Sequence, residues 1–362
     1  MHDYVVLLNW NGWRDTCECL ASLMRLNGPA PRVIVCDNAS SDGSLDRIRA
    51  WARGEAEVDL PGWWPAPEQA GAGRLSARRP VMAEVRRADA HGESPGGAWE
   101  VHGPDDADLF LIPTGANLGF AGGCNVGLRF ILQRGDARHV WLLNNDTVVH
   151  PDALVQLVQE AGRRPQAGMI GSVLRYYHRP DIVQAQGGGR FDLARTATMH
   201  VGEGERFEPI SETRQADIER QLAYITGASM LLTPAFLAQV GLMQEDYFLY
   251  YEEIDWAERA RRSRPAFGLA LAAGSLVFHK EGASAGTNTP SVFSARLLAR
   301  NRLRFIRRFY PEHLASARRH VLRDAVVALL KRRPEVARTL MREALGPVRL
   351  PEAGPAAQAA RA

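Results

Sequence analysis

Cysteine is scarce: Cys17, Cys19, Cys36 and Cys124 are the four in 362 residues. Cys17 and Cys19 have no second metal-spaced pair, so neither a disulfide framework nor a zinc site is expected, and a reducing cytoplasmic setting is. No run of about 18 apolar residues occurs, and the opening MHDYVVLLNWNG has neither a basic region nor a cleavage site. The chain is therefore expected to be neither membrane-spanning nor secreted by that route. A net charge of +3 is small for this length, so no nucleic-acid partner is implied. No G-K-[ST] phosphate loop is present, and the glycine-rich NLGFAGGCN does not match the dinucleotide fingerprint, which argues against P-loop ATPases and NAD enzymes.

What is present is an ordinary globular composition, 46% hydrophobic and 23% charged, enough to bury a substantial core. Short apolar runs alternate with helical patterns over the first 170 or so residues, the signature of an α/β fold with a mostly parallel sheet flanked by helices. Strands are expected at residues 5–8, 33–36, 109–112 and 140–143. Asp15 and Glu18 have the spacing of a capping box opening the first helix. Residues 52–108 read as a Pro/Gly-rich, partly irregular insertion, whose Trp63 and Trp64 are expected to pack back onto the domain. Gly187, Gly188 and Gly189 read as a flexible turn. Thr233 and Pro234 supply an N-cap and first helical position, and Gly241 a stop. From Ser291 onward the pattern is helical.

In an open α/β sheet, ligands gather beyond the carboxyl ends of the strands. The polar segments at residues 9–12, 37–43, 117–125 and 144–146 fall there, and their coincidence suggests a shared site. Gly119, Gly122 and Gly123 precede a helix, where a backbone can approach an anion or simply turn tightly. WLLNNDTVV ends an apolar strand in one acid, Asp146, which is costly to bury without a partner. Glu252, Glu253, Asp255 and Glu258 follow an aromatic run. They read either as a solvated helix start or as a general base beside an apolar wall, where desolvation raises its pKa. His279, ending another apolar strand, is open between a structural and a ligand role.

VVLLNWNG, VIVCDNASSDGS, NLGFAGGCNVG, WLLNNDTVV, ITGASMLL, YFLYYEEIDW and VFHKEGAS occur in that order. Together they resemble glycosyltransferase family 2, and within it the bacterial rhamnosyltransferase-like members that build cell-surface polysaccharides. The resemblance spans roughly residues 3–310, interrupted by the insertion. It implies a GT-A fold over residues 1–289, followed by a basic helical extension at 290–362. It also implies an inverting, metal-dependent transfer from a nucleoside diphosphate sugar to a saccharide or lipid-linked saccharide acceptor. dTDP-L-rhamnose is the first expected donor and UDP-sugars the alternative.

Matched residue by residue, the resemblance assigns Asp37 to the N3–H of thymine or uracil. Asn9, Asn11, Asn38, Asn117, Gly119, Phe120, Gly123, Asn125, Asn144 and Asn145 would lie along the nucleotide and donor sugar. Thr226, Gly227, Ala228 and Trp256 would line the sugar and acceptor pocket. Asp146 and His279 would hold Mg²⁺ or Mn²⁺. Glu253 matches the catalytic base, with Glu252 in reserve because the family's pair is Glu-Asp. Two other readings stand beside this one: a silent nucleotide-sugar or glycan-binding module, and a nucleotidyltransferase that would release pyrophosphate. The basic C-terminal helices suggest peripheral contact with the cytoplasmic face of the inner membrane.

Overall fold

A computed structural model describes residues 1–64, 79–87, 99–280 and 291–350. In chain order the first strands are β1 (His2–Asn9), β2 (Arg32–Asp37), β3 (Met82–Arg87), β4 (Trp99–His102), β5 (Leu109–Pro113), β6 (Ala137–Asn144) and β7 (Thr147–Val149). Then come β8 (Ala167–Tyr176), β9 (Arg179–Gln186), β10 (Gly188–Asp192), β11 (Ala197–His200), β12 (Tyr224–Ile225), β13 (Ser229–Leu232) and β14 (Gly268–His279). The helices are α1 (Trp13–Leu23), α2 (Ser44–Ala52), α3 (Gly119–Arg134), α4 (Ala153–Arg163), α5 (Glu212–Glu219), α6 (Pro234–Val240) and α7 (Glu252–Arg262). Three more, α8 (Val292–Phe309), α9 (Leu314–Leu330) and α10 (Pro334–Leu345), close the described chain.

The described residues form an 11-stranded mixed sheet in the order β4-β3-β5-β2-β1-β6-β13-β8-β14-β7, with β9 paired to β8. The run β3-β5-β2-β1-β6 is parallel throughout. Side-chain alternation divides the core between the two faces of the sheet. Val5, Leu7, Val33 and Val35 face α1, α2 and α4 through Leu20, Ile48 and Leu154. Tyr4, Val6, Ile34 and Cys36 face the other way, toward Leu128 of α3, Ile254 of α7 and Phe305 of α8. Because α8 shares that core, the start of the expected extension packs against the same layer as α3 and α7. Residues 351–362 of the extension lie outside the described residues.

Register sets the site. Asn9 is level with Asp37, Asp37 with Pro113, and Leu8 with Asn144, so four parallel strands end along one edge. His279 is brought there by a different route, paired with Thr147 across the antiparallel β7–β14 ladder.

Several local expectations are corrected. The residue preceding α1 is Gly12, with no side-chain cap; Asp15 and Glu18 instead reach Lys280, so no capping box forms. The glycine triplet is not a flexible turn, because Gly188 and Gly189 lie in β10. A Cβ on Gly188 would stand 1.9 Å from the Tyr224 carbonyl oxygen, so the close approach of β12 is what requires glycine. The insertion contains β3 and β4, and β3 extends the parallel sheet by pairing Met82 with Leu109. Trp63 and Trp64 do pack inward: Trp63 lies 4.6 Å from the Phe278 ring, and Trp64 donates to the Val149 carbonyl at 3.0 Å. Thr233 caps α6 through the Phe236 amide and Gly241 ends it at positive φ, as the spacing predicts.

Candidate active site

The carboxyl edge of the parallel strands carries a polar lattice. Buried Asn9 donates to Asp37 Oδ1 at 2.7 Å and accepts from Thr16 Oγ1 at 2.7 Å. Asp37 also accepts from the Ser40 hydroxyl at 2.6 Å and from the Ser40 amide, through Oδ2, at 3.1 Å. Asn11, at positive φ, accepts from the Ser41 amide at 2.8 Å. Asn38 ties this loop to the next, donating to Asn117 Oδ1 at 3.0 Å and accepting from the Leu118 amide at 2.9 Å. Asn117 in turn accepts from the Gly119 amide at 3.0 Å. Gly119 sits at φ +71°, where a Cβ would fall 2.3 Å from the Phe248 carbonyl oxygen that binds the Phe120 amide.

Other residues expected along the ligand turn inward. Asn125 is buried, donating to the Met243 carbonyl and Glu245 and accepting from the Met243 amide. A Cβ on Gly123 would strike Leu8, so that glycine serves helix-to-sheet packing. Trp256 is buried against Phe236 with its indole N–H on the Gly241 carbonyl. Asn145 donates to Thr16 Oγ1 at 2.9 Å, bracing α1.

Asp146 and His279 meet. His279 Nε2 stands 3.1 Å from Asp146 Oδ1, both side chains being nearly buried. On the far side of the ring, Nδ1 lies 2.9 Å from Gln184 Oε1, which can only accept, so that nitrogen carries a proton. Nε2 also has the Asn144 amide nitrogen at 3.3 Å. One ring nitrogen therefore faces a carboxylate oxygen and an amide group together. Burial pushes the Asp146 pKa up, but His279, a backbone amide and Lys280 together outweigh it and hold the carboxyl below its ordinary value. A divalent cation suits a carboxylate oxygen beside an imidazole lone pair whose other nitrogen is oriented by Gln184. Among the described residues no group of three or more His, Cys, Asp or Glu could hold a metal. Lys280 is fixed alongside by Asp15 at 2.5 Å and by Glu18, which also accepts from the Tyr177 hydroxyl. The rest of the VFHKEGAS motif, from Glu281, lies outside the described residues.

The two glutamates opening α7 differ in environment. Glu252 is buried, and its Oε2 has no hydrogen-bond partner. Glu253 is only half-buried, and its Oε1 accepts from the Gly227 amide at 3.2 Å. Desolvation raises both pKa values, and for Glu252 the neighbouring Glu253 adds to the shift. A Cβ on Gly227 would fall 2.7 Å from Glu253 Oε1 and 3.0 Å from the Phe120 ring, so the 226–228 turn, the glutamate and the NLGF loop close on one point. Asp255, one turn on, is an anchor: it pairs with Arg259 at 2.8 Å and Arg308 at 2.7 Å and accepts from the Tyr247 hydroxyl at 3.0 Å.

Sequence reasoning missed the residue that shapes this corner. Phe248, Tyr250 and Tyr251, just before the glutamates, all have positive φ, a strained conformation for aromatic residues. Buried Asn301 of α8 holds them, its amide nitrogen 2.9 Å from the carbonyl oxygens of Tyr247, Leu249 and Tyr250. A lone Asn in a helix 50 residues away leaves no local signal. Gln184, which orients His279, was missed for the same reason.

The sequence model of the family described as glycosyltransferase like family 2 matches residues 97–323. An N-acetylglucosaminyl-diphospho-decaprenol L-rhamnosyltransferase of Mycobacterium tuberculosis is 30% identical over 166 residues, 41% of this chain and 52% of that protein. The low-salt glycan biosynthesis hexosyltransferase Agl10 of Haloferax volcanii is 24% identical over 162 residues, 44% of this chain and 49% of its own. The chain thus spans about half the length of the curated relatives it matches. The crystal structure of GalNAc-T7 with UDP, GalNAc and Mn²⁺ superposes with a TM-score of 0.53 at 12% identity, covering 93% of this chain and 54% of the other, a likeness of fold.

Proposed function

The chain belongs to glycosyltransferase-like family 2, and from that membership we propose an inverting, divalent-metal-dependent transferase using a nucleoside diphosphate sugar. The acceptor is a hydroxyl of a saccharide or lipid-linked saccharide. The supporting observation is the pairing of half-buried Glu253 with the Gly227 amide, which aims a carboxylate of raised proton affinity at the 226–228 turn. Glu252, sealed in the core, has no such reach.

In this reading the nucleotide base lies against Asp37, whose Oδ2 accepts from the Ser40 amide and has a lone pair for a second donor. The backbone around Asn117 and Gly119 carries the donor. Glu253 takes the acceptor proton as the acceptor oxygen bonds to the anomeric carbon, and the bond from that carbon to the diphosphate oxygen breaks. Asp146 and His279 would hold Mg²⁺ or Mn²⁺, which supplies Lewis-acid stabilisation of the leaving diphosphate. Asn144, standing beside them, lacks charge, so a bound cation would draw little further negative charge from this edge of the protein.

Among donors we place dTDP-L-rhamnose first, supported by the L-rhamnosyltransferase relative, and UDP-sugars second, since a carboxylate reads thymine and uracil alike. Incubating the protein and Mn²⁺ with a panel of nucleotide sugars tests this reading. Release of dTDP from dTDP-L-rhamnose above every other donor is the expected result. Preferential release of UDP moves the assignment to a UDP-sugar. Pyrophosphate release from nucleoside triphosphates, with no donor cleaved, contradicts it.

A further inference from the structure

The arginines of residues 296–308 are mostly engaged within the fold. Arg302 pairs with Asp324 at 3.0 Å, Arg308 with Asp255 at 2.7 Å and Arg296 with Glu343 at 3.0 Å. Arg304 and Arg307 donate to the carbonyls of Asp246 and Val348.

The end of α9 is different. Val326, Val327, Leu329 and Leu330 are 56%, 40%, 48% and 79% exposed, while Ala325 and Ala328 between them are buried. Four neighbouring apolar side chains in water forgo the hydrophobic gain that burial would bring, and such clusters on soluble surfaces mark contact sites. Their rim is cationic. Arg319 and Arg323 precede them and Lys331 and Arg332 follow, all exposed. No ion pair engages these four among the described residues. Among the described residues, Asp324 of the same helix is taken by Arg302, and Glu335 lies in the first turn of α10.

We propose that this tip docks the protein on an anionic lipid surface. Val326, Val327, Leu329 and Leu330 enter the headgroup region, and Arg319, Arg323, Lys331 and Arg332 meet lipid phosphates. An apolar wedge with a rim of one sign matches a uniformly negative bilayer. A protein partner of stable affinity would need a broader patch. The basic side chains spread their alkyl stems over the wedge and keep their heads at the phosphates.

Flotation of the purified chain with phosphatidylglycerol/phosphatidylcholine vesicles tests this, with phosphatidylcholine alone as the comparison. Binding is expected to the anionic vesicles and to be weakened by high salt. L329S/L330S should reduce it at least about tenfold and leave the melting temperature unchanged, since both side chains are exposed. K331Q/R332Q should reduce both the binding and its salt dependence. Absence of binding to anionic vesicles overturns the proposal, as does binding that L329S/L330S leaves intact. A dimer that L329S/L330S disperses, with no vesicle binding, assigns the tip to a second copy and overturns it too. Vesicle binding needs neither donor nor turnover, so it can fail independently of the transferase reading.

Discussion

The Gly227 amide donates to Glu253 Oε1 at 3.2 Å, joining the turn before β13 to the first turn of α7. No side chain larger than hydrogen fits between them, because a Cβ at 227 would stand 2.7 Å from that oxygen. Gly227→Ala is therefore expected to displace Glu253 and the Phe120 ring. Transfer should fall at least about a hundredfold, while overpacking costs stability by about 1–3 kcal/mol. Turnover at saturating donor, measured beside urea unfolding, separates the two effects.

Glu253 must be deprotonated to accept a proton, and desolvation raises its pKa above the ordinary 4.5. Activity should thus fall as pH drops through a value above that of a free glutamate. A pH profile of kcat/KM with its acid limb at the ordinary carboxylate value would contradict this assignment.

Glu252 affects stability through the same shift. Its folded pKa lies well above 4.5, so the native state keeps the proton to higher pH than the unfolded chain does. That contribution is fully present below the unfolded value and is lost as pH rises through the folded one. Glu252→Gln should remove this dependence. Unfolding free energies measured across that range should decline for the wild type and decline less steeply for the variant.

Asn301 holds three carbonyls of a loop with three aromatic residues at positive φ. Asn301→Ala should release that strain, costing about 1–3 kcal/mol for the orphaned carbonyls and lowering kcat more than it raises the donor KM. Asn301→Asp, isosteric but unable to donate, should behave like the alanine variant. Equal loss in kcat and donor binding would show general unfolding of the region instead.

Gln184 orients His279 from behind. Gln184→Leu should raise the Mn²⁺ concentration needed for half-maximal activity by about 10- to 100-fold, as expected when the partner of a ligating histidine is lost. An unchanged metal curve would remove His279 from the metal site.

The sheet and its polar carboxyl edge were legible because they rest on local patterns. Apolar runs at residues 5–8, 33–36 and 140–143 end in Asn9, Asp37 and Asn144, and parallel register then aligns them. Where partners are distant, the sequence is silent. Residues 82–87 alternate too briefly among prolines and glycines to read as a strand, and only pairing with β5 makes them one. Asp15 and Glu18 have capping-box spacing, but Lys280 from the far end of the sheet offers a charged partner and takes them. Gly123, Asn125 and Trp256 sit within motifs that look ligand-facing, and helix rotation turns them to the core. Asn301 and Gln184 act across long sequence separations, which no window of residues reveals.

Glu253→Gln, assayed with the preferred donor and Mn²⁺, tests most directly whether Glu253 is the base. The substitution keeps the shape and removes the proton acceptor. Donor affinity by calorimetry should stay within about twofold while transfer falls about 10²- to 10⁴-fold. Transfer at the wild-type rate with donor still bound would contradict the assignment.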